Sequence, residues 1–193
     1  MDIPNCAVAL KEWAITCQAL RAGRQIVLLR KGGLHDAEGV FALEHNTFWL
    51  QPTYLHQSQA QVKPAHRDLF AMAEAQRVTG EGDKFIALRL LATVEKVFAL
   101  TREGEDRLLA APHIWSDMHV ALRYDYQPEH PLLCVALRVY ERPTPHQVAM
   151  RREFQGCRSW IELQEPLDCN KVLPALDDDA FARRMSELSA ALV

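Results

Sequence analysis

Two short apolar runs, each closed by a polar corner, limit what this chain can fold into. The first, Gln25 to Leu29, lies between Gly23 and Arg30-Lys31-Gly32-Gly33. The second, Thr47 to Leu50, ends at Pro52-Thr53-Tyr54 and His56-Gln57. Runs this short make a strand but hardly more than one turn of helix, and Gly and Pro at their ends supply the turns a strand needs. Both therefore read as buried strands. Their ends carry guanidinium, ammonium, hydroxyl and imidazole groups together, which is one way to build a pocket for an anionic or polar ligand.

The other periodicities fill in the fold. Leu10, Trp13, Ala14, Cys17 and Leu20 recur at helical spacing and predict a helix over about residues 6–22. Val40–Leu43 and Thr47–Leu50 suggest a hairpin turning at His45-Asn46. Pro64 opens a predicted helix to about residue 77, Phe85 to Leu100 reads as one long bent strand or two, and Glu105 to Ala111 as a short helix. Alternation of Val120, Leu122, Tyr124 and Tyr126, and of Leu133, Val135, Leu137 and Val139, predicts a hairpin of 119–126 with 132–140. Trp160 to Leu163 is a further strand. Phe181, Met185, Leu188 and Leu192 mark a final helix opened by Asp177-Asp178-Asp179. Strands and helices mix without a regular βαβ alternation. The expected class is α+β, with a curved antiparallel or mixed sheet, open or a partial barrel, and flanking helices. Residues 1–193 are expected to form one domain, with a main body over 1–170 and the helix of 174–193 as an appendage.

A chain of 193 residues buries roughly 70% of its unfolded surface on folding, so no metal or disulfide is needed to stabilise it and no cofactor is expected; an apolar share of 49% and a charged share of 24% are ordinary for a globular chain. A net charge of −3 argues against a strongly cationic nucleic-acid binder, although a local patch can act within such a total. Five cysteines, an odd number without C-x-x-C, point to buried thiols in a reduced, cytoplasmic protein. No basic-then-apolar leader opens the chain, and no apolar stretch approaches the roughly 20 residues that span a membrane, so no membrane partner is expected.

Arg30-Lys31-Gly32-Gly33 offers charge and approachable backbone N–H groups but lacks the spacing of a nucleotide-hydrolysing phosphate loop. His56 has the chemistry of a general acid or base, with Thr53, Tyr54 and Gln57 beside it. His113, Asp117 and His119 do not match a metal-ligand spacing, and Trp115 between them reads as core. Cys157 sits on a turn with no base near it in the chain, so a structural thiol is expected. Glu162-Leu163-Gln164 is only a degenerate form of a magnesium-nuclease strand motif, and an outward carboxylate is the plainer reading. Arg123, Arg138 and Tyr140, on the expected long hairpin, have the chemistry to stack on bases and contact phosphates.

Several ordered segments together resemble a known bacterial family. They are Ala9-Leu10-Lys11-Glu12-Trp13-Ala14, Leu28-Leu29-Arg30-Lys31-Gly32-Gly33, Pro52-Thr53-Tyr54 with His56-Gln57, His113-Ile114-Trp115, Pro131-Leu132 through Leu137-Arg138-Val139-Tyr140, and Gly156-Cys157-Arg158-Ser159-Trp160. Over about residues 7–164 the chain is similar to domain-of-unknown-function family 1802. The resemblance implies an association with Mrr-type restriction endonuclease domains and supplies no catalytic residues.

The leading functional expectation is a nucleic-acid-associated binding or accessory module, linked to DNA restriction or processing, with DNA or RNA and a restriction-type protein as partners. Arg30, Lys31, Gly32, Gly33, Thr53, Tyr54 and Gln57 would bind its ligand. A second expectation is a small enzyme for a phosphorylated or nucleotide-like substrate, with His56 as acid/base and Arg30 with Lys31 clamping the anion. A third is a protein interaction module that docks through the C-terminal helix.

Overall fold

In a computed structural model the described residues are 5–31, 42–77, 84–156 and 158–193. They form an α+β fold around one mixed sheet that is not closed. The strands are β1 (Cys6–Trp13), β2 (Val27–Arg30), β3 (Thr47–Thr53), β4 (Phe85–Leu100), β5 (Leu132–Ala149), β6 (Trp160–Leu167) and β7 (Leu173–Pro174). The helices are α1 (Ala14–Arg21), α2 (Asp68–Glu74), α3 (Glu105–Ala110), α4 (Asp117–Asp125) and α5 (Asp178–Leu192). The strand order is β2-β5-β4-β3-β1-β6, with β7 added alongside β5. Only β1 with β3 is parallel.

The expected helix over 6–22 is half strand. Cys6–Trp13 pairs with β3 on one side and β6 on the other, and the helix starts only at Ala14. An interior strand with both faces covered buries adjacent residues, here Ala9 and Leu10, so its pattern does not alternate and imitates a helix. The opposite correction falls on 119–126. These residues lie in α4, whose N-cap Ser116 accepts a hydrogen bond from the His119 N–H. Val120 and Tyr124 face inward while Leu122 and Tyr126 are exposed. A spacing of four satisfies both a strand and a helix period, and the Ser116 cap decides between them.

The true partner of Leu132–Val139 is β4, and β5 runs on to Ala149 through Pro143 and Pro145. Those prolines occupy a register shift: Leu88 pairs with His146 and Leu90 with Glu141, so the ladder needs no N–H from them. The long reading of Phe85–Leu100 as one strand holds. The 64–77 helix is a 3₁₀ turn at Pro64–His66 followed by α2. Of the expected 40–50 hairpin, Val40 lies outside the described residues, and Thr47–Leu50 pairs with β1 and β4.

The sheet curls around an inner cluster that includes Leu10, Leu28, Phe48, Leu50, Leu90, Val135 and Leu137. Its outer faces are covered at one end by α3, α4 and α5 and at the other by Trp49, Leu91, Phe154 and Ile161. The C-terminal helix is packed on the body: Leu188 and Leu192 are buried in the same cluster as Ile15, Ala19 and Leu108, with Phe181 and Met185 against it. Arg138 of β5 fixes the helix start through a 2.6 Å ion pair with Asp178. The apolar face that would have docked a partner is therefore already occupied. Among the described residues no helix is long and apolar enough to cross a membrane.

The two edges of the open sheet meet through one side chain. Arg30, the last residue of β2, donates from Nη1 to Glu12 Oε2 (3.2 Å) and the Lys11 carbonyl (3.3 Å), and from Nη2 to Ser159 Oγ (2.6 Å). Glu12 lies on β1 and Ser159 immediately precedes β6, so the guanidinium spans the seam. Glu12 is buried, and removing Arg30 takes away its ion-pair partner and leaves only the more distant charge of Arg123. Arg30→Ala is expected to lower stability by about 3–5 kcal/mol in urea unfolding, and Arg30→Met with Glu12→Gln by much less. Equal losses in the two variants would show that the pair does not hold the seam.

Candidate functional site

The two basic residues of the first corner go to different places. Arg30 serves the seam. Lys31 is 2% exposed; its Nζ donates to the Tyr124 carbonyl (2.9 Å) in the last turn of α4, and burial holds the ammonium below its ordinary range. The lysine thus caps the negative end of that helix. No anion clamp forms from the pair. Gly32 and Gly33 lie outside the described residues, as does Cys157.

The second corner is also divided. Thr53 Oγ1 donates to the Glu12 carbonyl (3.2 Å), and Gln57 Oε1 accepts from the Ile15 N–H (3.2 Å) in the first turn of α1. Both tie the end of β3 to the β1–α1 junction. His56 is exposed, sits at φ 64 in the left-handed region, and makes no side-chain hydrogen bond among the described residues. Among the described residues no hydrogen bond joins it to Arg30 or Lys31. Pro52 and Tyr54 face a cleft.

The expected base-stacking trio is dispersed. Arg123 lies on α4, with its guanidinium 5.5 Å from the Trp13 ring and Nε donating to His119 Nε2 (3.4 Å). Arg138 is buried against Asp178, 4.5 Å from the Phe181 ring, and Tyr140 is buried in the outer core. His113 and His119 do not converge either. His113 Nε2 bonds the Leu108 carbonyl (2.7 Å), whereas the His119 ring packs on Trp13 and Trp115. Among the described residues no three His, Cys, Asp or Glu side chains gather. Glu162 and Gln164 point outward from β6.

A different place has the shape of a site. β3 stops pairing with β4 after Leu50–Leu90 and stays with β1 as far as Thr53–Trp13. β4 and β5 meanwhile continue as a two-stranded ribbon from Leu88–His146 to Phe85–Ala149. The gap between ribbon, α1 and the end of α2 is a cleft of about 600 Å³. Ala14, Cys17, Gln18 and Arg21 enter it from one face of α1 at spacings of three and four. Gln51 comes from β3 and Tyr54 from just after it, Gln76 and Arg77 from just beyond α2, Phe85 and Gln147 from the ribbon, and Arg89 from its base.

Among the described residues the lining holds three guanidiniums, those of Arg21, Arg77 and Arg89, and no carboxylate. Glu141 pairs with Arg21 (2.7 Å) and Arg89 (3.3 Å), and Glu74 with Arg77 (3.6 Å), without lining the cleft. Arg77 also lies 4.9 Å from the Tyr54 ring centroid. Burial raises the Tyr54 hydroxyl above its ordinary range, and burial together with Glu12 raises the Cys17 thiol well above its own, so neither is an ionised nucleophile near neutrality. Gln51 is 5% exposed, and its Oε1 is buried with no hydrogen-bond partner. A buried acceptor left unpaired costs stability and marks a place where a ligand donor would be satisfied.

Residues 9–187 match the family described as Domain of unknown function (DUF1802). The chain belongs to that family. The match takes in every strand except the first residues of β1, so the family model covers the seam and the cleft together. No curated protein and no solved structure matches the chain. The DUF1802 description assigns no chemistry, and the reading of the site rests on its geometry.

The buried imidazoles make a pH test of this interior. Burial pushes His113 down to about 4, with Lys63 adding to the effect, and His119 down to about 3, with Arg123 adding. An unfolded histidine titrates near 6.5, so below that pH the unfolded chain takes up protons that the folded one refuses. Stability from these groups is full above about pH 6.5 and falls toward pH 4, by up to about 1.4 kcal/mol per pH unit for each histidine. Urea unfolding across this window should show a shallower slope for His119→Gln than for the wild type. An unchanged slope would contradict the assignment.

Proposed function

We propose that this protein is a nucleic-acid-associated binding module that engages its ligand through the ribbon cleft. The observation that carries the reading is the lining itself: among the described residues it gathers three guanidiniums, four glutamine amides and exposed aromatic surface in one concavity, and no carboxylate. Guanidiniums supply phosphate contacts, amides supply hydrogen bonds to bases, and aromatic faces supply stacking. Arg151 and Arg152 follow Met150 in the chain at the ribbon end, with Glu153 after them. A net charge of −3 does not oppose this, because only the local field acts on a bound phosphate. An accessory role in DNA restriction or processing is the setting that the family resemblance implies.

The enzyme reading loses the arrangement that motivated it, since Arg30, Lys31 and His56 are engaged or exposed at separate places. Binding is the simpler use of a cleft whose hydroxyl and thiol both stay protonated.

DNA or RNA should be retained at about 50 mM salt and released steeply as salt rises. Arg77→Ala and Arg89→Ala should each weaken binding and reduce the log–log salt slope by about one contact. No retention of either polymer by folded protein, or unchanged slopes in both variants, would refute the proposal.

A further inference from the structure

We infer that the cleft takes one unstacked nucleotide, with its base inside, so that the protein selects single-stranded nucleic acid over duplex. The inference rests on the nucleic-acid reading above and adds which part of the polymer enters. Cationic side chains alone would hold any phosphate backbone. Three features of this cleft exceed what a backbone needs.

The first is size. About 600 Å³ falls in the range of pockets that enclose small molecules, and it is bounded by α1, the ribbon and α2 on three sides. A duplex keeps its bases stacked and its pairing edges occupied, so it can only lie across the mouth. A single strand can turn one base inward.

The second is aromatic surface. Phe85 stands on the ribbon with 42% of its surface exposed, whereas Ile86 and Leu88 beside it on β4 are buried. Tyr54, on the β3 side, carries the Arg77 guanidinium over its ring. An exposed aromatic face and an arginine plane are the surfaces on which unstacked bases settle.

The third is the amide of Gln51. Its buried Oε1 has no partner, and Gln18, also buried, lines the same cleft. A phosphate offers only acceptors and cannot satisfy a carbonyl oxygen. A base edge offers N–H groups that can, and an unpaired base is free to turn its whole pairing edge into the cleft.

The test separates base from backbone. Fluorescence anisotropy would compare a base-bearing single strand of about 12 nucleotides, an abasic strand of equal length and charge, and the corresponding duplex. The base-bearing strand should bind about ten-fold more tightly than either of the others. Gln51→Leu and Phe85→Ala, each checked for an unchanged melting temperature, should bring it down toward the abasic level and leave abasic binding as it was. Arg89→Ala should weaken both strands together. If the abasic strand or the duplex binds as tightly as the base-bearing strand, the inference is wrong while the nucleic-acid reading stands. If none of the three binds, both are wrong. The wild-type comparison decides the matter even if a variant fails to fold.

Discussion

A guanidinium held between a buried carboxylate and a serine hydroxyl spans the open seam of this sheet. Arg30 joins the β2 edge to the β1–β6 edge, and without it buried Glu12 would lose its ion-pair partner. The same guanidinium also takes the Lys11 carbonyl, and the Glu12 carbonyl takes Thr53. The β1–α1 junction is thereby pinned from three directions, with Gln57 reaching the first turn of α1. Everything α1 presents to the cleft depends on that pin. Arg30, which the sequence marks as a ligand residue, bridges the seam of the sheet in the folded protein.

The cleft follows from a mismatch in strand length. β4 and β5 are far longer than the strands beside them, so their free ends project beyond the sheet as a ribbon. A ribbon that leaves the sheet must open a gap behind it, and α1 and α2 form the gap's other walls. The prolines at 143 and 145 sit in the register shift at its base, next to the Pro143 carbonyl that accepts from Arg89 (3.0 Å). The position of a cationic side chain in the cleft is thus fixed by the irregularity that lets the ribbon bend.

Parts of this were legible in the residues. The strand over Gln25–Leu29, the long Phe85–Leu100 strand, the short helix after Glu105 and the capped C-terminal helix all declare themselves through unbroken local patterns. The Cys6–Trp13 strand does not, because its two buried faces erase alternation. Residues 119–126 do not, because a four-residue spacing serves either period. For the cleft the signal was weaker still. Gln18 and Arg21 share a helix face visible in the sequence, but nothing local relates them to Gln51, Arg89 or Gln147. Those positions come together only when β3 and β4 part.

Local chemistry by itself determined the mixed α+β composition, the capped termini and the family signature, since each depends on residues near one another in the chain. It also marked Arg30, Lys31, Tyr54 and Gln57 as ligand-binding residues, and in the fold Arg30, Lys31 and Gln57 have partners within the chain. Which partners they found was decided by the tertiary structure. A charged side chain goes where its buried countercharge or helix end lies, and that is set by strand order and curvature. Arg30 and Lys31, adjacent in the chain, were separated to a seam and a helix terminus, and Tyr54 reached the cleft.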